Sequence, residues 1–150
     1  MANTYTQIYL HVIIVVKRRT NMISNDWKEL LLKYITGIIT AKKQKLMIIN
    51  GVADHLHILI GMKPDCCLSD LIRDVKANSS KWINDNRFTK EKFQWQEGFA
   101  GFSVSNSGVK NVIEYILNQE EHHKKKKFRQ EYMKLLNEYQ IEFKEAYLFE

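Results

Sequence analysis

The 150-residue sequence predicts a single α+β domain with a ferredoxin-like fold. Segments rich in β-branched and aromatic residues alternate with amphipathic segments in the order strand, helix, strand, strand, helix, strand, followed by C-terminal helices. This is the order of the split βαβ arrangement. The chain has a single proline and six glycines, and no Gly/Ser-rich stretch that would act as a linker. We therefore expect one domain over residues 1–150, in which helices pack on an antiparallel sheet of about four strands.

Four segments have the composition of strands. Residues 4–16, TYTQIYLHVIIVV, predict a long first strand. Residues 45–53 and 55–62 follow each other with only a brief break at Ala53 and Asp54, which predicts a hairpin. Residues 93–105, FQWQEGFAGFSVS, predict a fourth strand in which Gly98 and Gly101 mark a bulge or bend.

Four segments have the periodicity of amphipathic helices. The first begins at Ser24 or Asn25, either of which can cap it, and ends near Lys43. Its apolar positions are Trp27, Leu30, Leu31, Tyr34, Ile35, Ile38 and Ile39. The second begins at Ser69, and its buried side is predicted to hold Leu71, Ile72, Val75, Ala77 and Trp82. The third runs over residues 108–121, and a lysine-rich junction leads to the fourth over residues 128–139.

The bulk properties favour a cytoplasmic protein with a polyanionic partner. The formal net charge is +6 and the isoelectric point is about 9.2. The apolar run at residues 8–16 is too short to span a bilayer, and the basic residues 17–19 follow it rather than precede it. Cys66 and Cys67 are adjacent, which suits neither an intrachain disulfide nor a structural zinc site, so we expect two free thiols.

Two histidines interrupt the third predicted strand. His55 and His57 lie two residues apart, so they share one face of the strand while Leu56 lies on the other. Imidazoles spaced by about 7 Å on one face can converge on a divalent ion, with a third ligand from elsewhere. The alternative is that they are ordinary half-exposed strand residues. Asp54 is interpreted as a turn residue rather than as a ligand.

The third predicted helix presents a phenol and an amide together. Tyr115 and Gln119 are four residues apart, so they lie about 40° apart around the helix axis. Taken singly, Tyr115 would be interpreted as a packing residue at the edge of the core, and Gln119 as solvent-facing.

Together, the His-x-His strand and the Tyr-x-x-x-Gln helix resemble the single-tyrosine transposases of small bacterial insertion sequences, the IS200-like members of the HUH endonuclease superfamily. The resemblance covers nearly the whole chain, including NGVADHLHILIGMKPD around the histidines and VIEYILNQEEHHKKKK around the tyrosine. It implies that His55, His57 and Gln119 bind Mg²⁺ or Mn²⁺, and that Tyr115 attacks single-stranded DNA to form a 5′-phosphotyrosine. It also implies hairpin recognition at the ends of the element, and a homodimer whose active site is shared between subunits.

Basic residues supply candidate DNA contacts, with a solvated surface role as the alternative. They are Lys17, Arg18 and Arg19 after the first strand, and Arg73, Lys76 and Lys81 on the second helix. Two other functions stay open. One is a nonenzymatic, domesticated ferredoxin-like nucleic-acid-binding protein, which needs neither metal nor tyrosine. The other is a metal-dependent hydrolase of small phosphoesters, in which Tyr115 only packs.

Overall fold

The computed structural model describes residues 3–20, 22–121 and 127–148, without the side chain of Arg19. Its centre is a four-stranded antiparallel sheet with the order β2-β3-β1-β4. The strands are β1 (Tyr9–Val15), β2 (Lys45–Val52), β3 (His55–Gly61) and β4 (Ala100–Val104). The helices are α1 (Asn25–Ala41), α2 (Leu68–Asp85), α3 (Val109–Leu117) and α4 (Phe128–Glu138). This order and pairing confirm the ferredoxin-like α+β fold predicted from the sequence.

The alternation of side chains along β3 separates two cores. Leu56, Ile58 and Ile60 point towards α1 and α2, where they join the larger apolar cluster. The opposite face of the sheet carries the smaller cluster, which α4 covers. The buried members of that cluster are Ile13, Val15, Ala100, Phe102, Phe128, Tyr132 and Leu136. His55 and His57 belong to this second face and are 0% exposed, so the alternative of half-exposed strand residues is wrong.

The first and fourth strands are shorter than the sequence predicts. β1 begins at Tyr9 rather than at Thr4, because its neighbours end there: Tyr9 pairs with Gly61 on one side and with Val104 on the other. In the predicted fourth strand only Ala100–Val104 is regular. Gly98 has a φ of 78°, which is outside the extended region, so the chain before it forms a loop.

The predicted helices agree with the structure at most positions. Ser24 caps α1, since its Oγ accepts a hydrogen bond of 3.2 Å from the N–H of Asp26. Leu30, an apolar position of the first predicted helix, is exposed, and so is Ala77, which was predicted on the buried side of the second. The third helix is broken into a 3-10 turn at Asn106–Gly108, then α3, then a turn at Asn118 and helical residues 119–121. The lysine-rich junction, residues 122–126, lies outside the described residues.

Two further sequence expectations concern thiols and membranes. Cys66 and Cys67 are free, as their spacing predicts. Among the helices that the structure describes, none has the length and apolarity needed to cross a bilayer.

Gly51 on β2 controls how closely the strand bearing the histidines can approach. A Cβ atom at this position would lie 2.8 Å from Cα of Leu56 and would also collide with the carbonyl oxygen of His55. We expect Gly51→Ala to lower the free energy of unfolding by about 2–3 kcal/mol, because backbone rather than a flexible side chain must move. Denaturant unfolding followed by circular dichroism measures the change.

Gly37 offers the matched control for this substitution. It lies inside α1, and a Cβ atom there would meet nothing within 4 Å. Gly37→Ala should raise the free energy of unfolding by about 0.5–1 kcal/mol, because alanine favours helix. Equal stability of the two variants would contradict the tight approach of β2 and β3.

Candidate active site

The two histidines of β3 direct one nitrogen each towards a common point. His55 Nδ1 is 2.7 Å from Asp54 Oδ1, and His57 Nδ1 is 2.8 Å from Nε2 of His11. The opposite nitrogens both face Glu131 on α4: Oε1 lies 2.9 Å from His57 Nε2 and 3.7 Å from His55 Nε2. The side chains that hold the two Nδ1 atoms therefore orient both Nε2 atoms towards one carboxylate.

Helix α4 supplies this carboxylate because of its sequence pattern. Phe128, Tyr132 and Leu136 recur at four-residue intervals and are buried against the sheet. Glu131 lies on the same stripe, three residues after Phe128, and is only 5% exposed. The ring of Phe128 stacks on His55 with a centroid distance of 3.7 Å and an interplanar angle of 15°. Apolar packing thus places a negative charge directly over the imidazoles.

The charges of this cluster shift the pKa values of its members. Burial alone would raise the pKa of Glu131, but hydrogen bonds and charge from His55 and His57 outweigh it and hold that pKa far below its usual range. Burial alone would lower the pKa of His55, yet Asp54 and Glu131 raise it overall. Burial and the charge of His57 lower the pKa of His11 to about 3. Glu131 is therefore ionised and His11 neutral near pH 7.

Tyr115 on α3 completes the cluster. Its ring lies edge-on to His57, with a centroid distance of 5.7 Å and an angle of 83°. The phenol hydroxyl is hydrogen-bonded to Glu131, and burial together with this carboxylate raises the pKa of Tyr115 above its ordinary value. Asn50 on β2 holds the end of α3, since its amide donates hydrogen bonds of 3.0 and 3.2 Å to the carbonyl oxygens of Ile116 and Leu117.

Gln119 lies beyond the end of α3, although the sequence predicts one continuous helix. Its amide nitrogen donates a 3.3 Å hydrogen bond to the carbonyl oxygen of Tyr115. Its Oε1 is buried, and no residue in the described parts of the chain donates a hydrogen bond to it. The segment is anchored by buried Lys28, whose Nζ is 3.2 Å from both Glu120 Oε1 and the carbonyl oxygen of Gly51.

The donor set fits a divalent cation. Ligand atoms of His55, His57 and Glu131 lie within 4.8 Å of one another. Two imidazole nitrogens with a carboxylate oxygen and the buried amide oxygen of Gln119 are ligand types that Mn²⁺ and Mg²⁺ accept. Of the residues predicted from the sequence, His55 and His57 lie together, Tyr115 lies against His57, and Gln119 contacts Tyr115.

Three contributions to the site were not predicted from the sequence. Glu131 lies on the apolar stripe of its helix, and a carboxylate at a buried position normally has a cationic or hydrogen-bonding partner. His11 lies between apolar residues of β1, and its position likewise indicates a buried hydrogen-bond partner. Asp54 occupies the β2–β3 turn as predicted, but its carboxylate also binds His55, which the turn interpretation left out.

Three of the candidate DNA-binding residues, all on α2, make contacts outside this cluster. Arg73 pairs with Asp70 at 3.1 Å, and Lys81 pairs with Asp85 at 2.5 Å. The half-buried Lys76 donates hydrogen bonds to the carbonyl oxygens of Gln96 and Gly98, and burial lowers its pKa. Lys17 and Arg18 are exposed after β1, next to Arg19, whose side chain is not described.

Comparison with known proteins identifies the family. The family described as "Transposase IS200 like" matches residues 4–119, which include both histidines, Tyr115 and Gln119. The chain belongs to the IS200-like transposase family. The family match ends at Gln119, so α4 and Glu131 lie outside it. No curated protein sequence matches the chain.

Two solved structures share the fold of this IS200-like protein. One is a protein of Deinococcus radiodurans R1 that is classed as a transposase, with a TM-score of 0.65 and 19% identity over 79% of this chain and 95% of that one. The other is a REP-associated tyrosine transposase bound to a REP hairpin, with a TM-score of 0.60 and 13% identity over 79% of this chain and 70% of that one. At these identities the likeness establishes the fold alone.

Proposed function

We propose that this IS200-like protein cleaves and rejoins single-stranded DNA at the ends of an insertion element by transesterification. One observation carries the proposal. The hydroxyl of Tyr115 and the Nε2 atoms of His55 and His57 all face the same carboxylate, Glu131. Metal-assisted phosphoryl transfer requires a nucleophile and metal ligands that face the same position, where the phosphate binds.

Four residues would hold the divalent cation, Mg²⁺ or Mn²⁺. They are His55, His57, Gln119 and, in the absence of DNA, Glu131. The sequence-based set has three neutral ligands, and Glu131 adds an anionic one. When bound, the cation polarises the scissile phosphate and stabilises charge on its oxygens.

Tyr115 carries the covalent step. Its oxygen forms a bond to the phosphorus atom while the bond from phosphorus to the 3′ oxygen breaks, which gives a 5′-phosphotyrosine and a free 3′-hydroxyl. The phenol proton leaves to solvent, and the departing 3′ oxygen takes up a proton, so the step consumes no net proton. One phosphodiester replaces another, so a second 3′-hydroxyl can attack the intermediate and join new ends without an external energy source.

The substrate phosphate must take the place of Glu131. The carboxylate lies between the nucleophile and both imidazoles, and His55 and His57 are fully buried beneath α4. A phosphate oxygen and a carboxylate oxygen are both anionic acceptors, so the exchange preserves the charge at this position. We infer that α4 moves away from the sheet before a DNA strand is cleaved.

A DNA hairpin is the substrate class that we propose. The structural relative bound to a REP hairpin supports this choice. Arg73 and Lys76 line a groove of about 500 Å³ between α2 and the loop at residues 94–99, and Lys17 lies beside this loop, 3.5 Å from Gln94 Oε1. Phosphates bound here would compete with the carboxylates that now pair with Arg73.

Formation of a covalent adduct tests the proposed function. The protein is incubated with Mn²⁺ or Mg²⁺ and a labelled single-stranded oligonucleotide that carries a hairpin next to the cleavage region. A band that survives denaturation and has the mass of protein plus the 5′-phosphorylated fragment is expected. An oligonucleotide with a scrambled stem is the control. Hairpin binding without any adduct would instead support the nonenzymatic nucleic-acid-binding protein.

The contacts of α3 favour a site that is complete within one chain. Asn50 donates a hydrogen bond to the end of α3, and Lys28 pairs with Glu120 just beyond it. These contacts hold Tyr115 beside the His57 of its own chain. The family resemblance predicts a homodimer with a shared site. We propose instead that the tyrosine acts in cis.

Mixing two inactive variants distinguishes a site formed within one chain from a site shared between two subunits. A mixture of Tyr115→Phe and His57→Ala chains should stay inactive if the site is formed in cis. A shared site would restore up to about a quarter of the wild-type cleavage, because random pairing of two chain types yields some sites with intact residues. Cleavage of the labelled hairpin is measured after the two proteins have been unfolded and refolded together.

A further inference from the structure

We propose that His11 is a positioning residue for His57, and that it fixes the ring of this metal ligand with Nε2 turned to the cation. The inference rests on the proposed function, because it assigns His57 the role of a ligand. His11 lies on β1, the strand next to β3, and its Nε2 is 2.8 Å from Nδ1 of His57. His11 is 3% exposed, so water does not compete for this bond.

A metal-binding imidazole needs a partner for its other nitrogen. When Nε2 of His57 binds a cation, its proton resides on Nδ1, and His11 Nε2 is the acceptor within reach. His55 has an equivalent partner, since its Nδ1 is 2.7 Å from Asp54 Oδ1. The two ligands are therefore oriented by different groups, one by a carboxylate and one by an imidazole.

An imidazole at this position can serve both states of the site. Without a cation, Nε2 of His57 faces Glu131 and Nδ1 faces His11 Nε2, and an imidazole can donate or accept at that nitrogen. With a cation at Nε2, the proton of His57 lies on Nδ1 and His11 accepts the hydrogen bond. A carboxylate in place of His11 could only accept. The rings of Phe102 and Tyr115 lie edge-on to the ring of His11, with centroid distances of 6.0 and 6.2 Å.

The test compares two substitutions of His11 with a packing control. His11→Phe keeps an aromatic ring but removes the hydrogen bond, and His11→Gln supplies an amide that can donate or accept near the position of Nε2. Phe102→Leu alters the packing around His11 without touching the bond. The dissociation constant for Mn²⁺ is measured by titration calorimetry in the absence of DNA. Two-dimensional ¹H–¹⁵N spectra of the imidazoles, recorded with and without Mg²⁺, report the tautomer of His57.

We expect His11→Phe to weaken Mn²⁺ binding by about 10- to 100-fold and His11→Gln to restore it to within about threefold of wild type. The His57 signal of the Mg²⁺-bound wild type should show a proton on Nδ1, and Phe102→Leu should leave both readouts unchanged. Wild-type affinity in a folded His11→Phe protein, or equal losses in the phenylalanine and glutamine variants, would overturn the inference. A wild-type protein that binds no Mn²⁺ would overturn the metal site of the proposed function as well. Normal Mn²⁺ behaviour without DNA cleavage would overturn the proposed function alone.

Discussion

Tyr115→Phe is expected to abolish the covalent adduct and to reduce cleavage of a hairpin oligonucleotide by at least about 10³-fold. The substitution removes the oxygen that attacks phosphorus and leaves the ring that packs at the edge of His57. The hydroxyl hydrogen-bonds Glu131 and Gln119, and α3 is held separately by the hydrogen bonds of Asn50, so the loss of this oxygen should not unfold the helix. Hairpin affinity, measured by fluorescence anisotropy with Ca²⁺ in place of Mg²⁺, should stay within about twofold of wild type.

Tyr34→Phe is the matched control for this experiment. Tyr34 lies on α1 and stacks on Trp82 with a centroid distance of 4.7 Å, on the opposite side of the sheet from the candidate active site. Its hydroxyl can be removed without touching the histidines, so cleavage should be unchanged. An adduct formed by Tyr115→Phe would mean that another side chain is the nucleophile, and peptide mapping of the adduct would identify it.

Glu131→Gln is expected to separate metal binding from cleavage. The amide keeps the size of the side chain but removes the charge that faces His55 and His57. We expect Mn²⁺ affinity without DNA to fall by about 10- to 100-fold. Cleavage at saturating Mn²⁺ should be at least as fast as in the wild type, because the phosphate no longer displaces a carboxylate. Calorimetry gives the affinity, and single-turnover cleavage of the labelled hairpin gives the rate.

A loss of cleavage greater than about 100-fold in Glu131→Gln at saturating Mn²⁺ would contradict the displacement of Glu131 by substrate. It would make this residue a permanent ligand or the base for Tyr115. Glu138→Gln is the control, since Glu138 lies on the same helix but is exposed and faces Lys134 at 3.8 Å. This variant should bind Mn²⁺ and cleave DNA like the wild type.

Much of the fold and part of the site were predictable from local patterns. Side chains alternate along the strand HLHILI, so His55 and His57 lie on the same face. The short break at Ala53 and Asp54 predicts the pairing of β2 with β3. The four-residue spacing of Tyr115 and Gln119 brings them together even though α3 ends between them. These relations depend on neighbours in sequence, which is why the sequence reveals them.

The remaining contributions depend on contacts between distant segments. His11 and His57 are 46 residues apart, and Glu131 lies 74 residues after His57. The predicted fold places β1 beside β3, but nothing local to either segment determines that His11 reaches His57, or that α4 packs on the face opposite α1 and α2. The irregular loop before β4 was missed for a related reason: an apolar composition does not show that the chain at Gly98 leaves the extended region.

The hydrogen bonds that hold α3 in place limit how DNA ends could be exchanged. Asn50 and Lys28 tie the segment that bears the nucleophile to β2 and α1 at both its last turn and its extension. A strand linked to Tyr115 would therefore stay where it was cut, and the protein could not carry it to a new location. The incoming 3′ end would have to be delivered to the intermediate by movement of the nucleic acid itself.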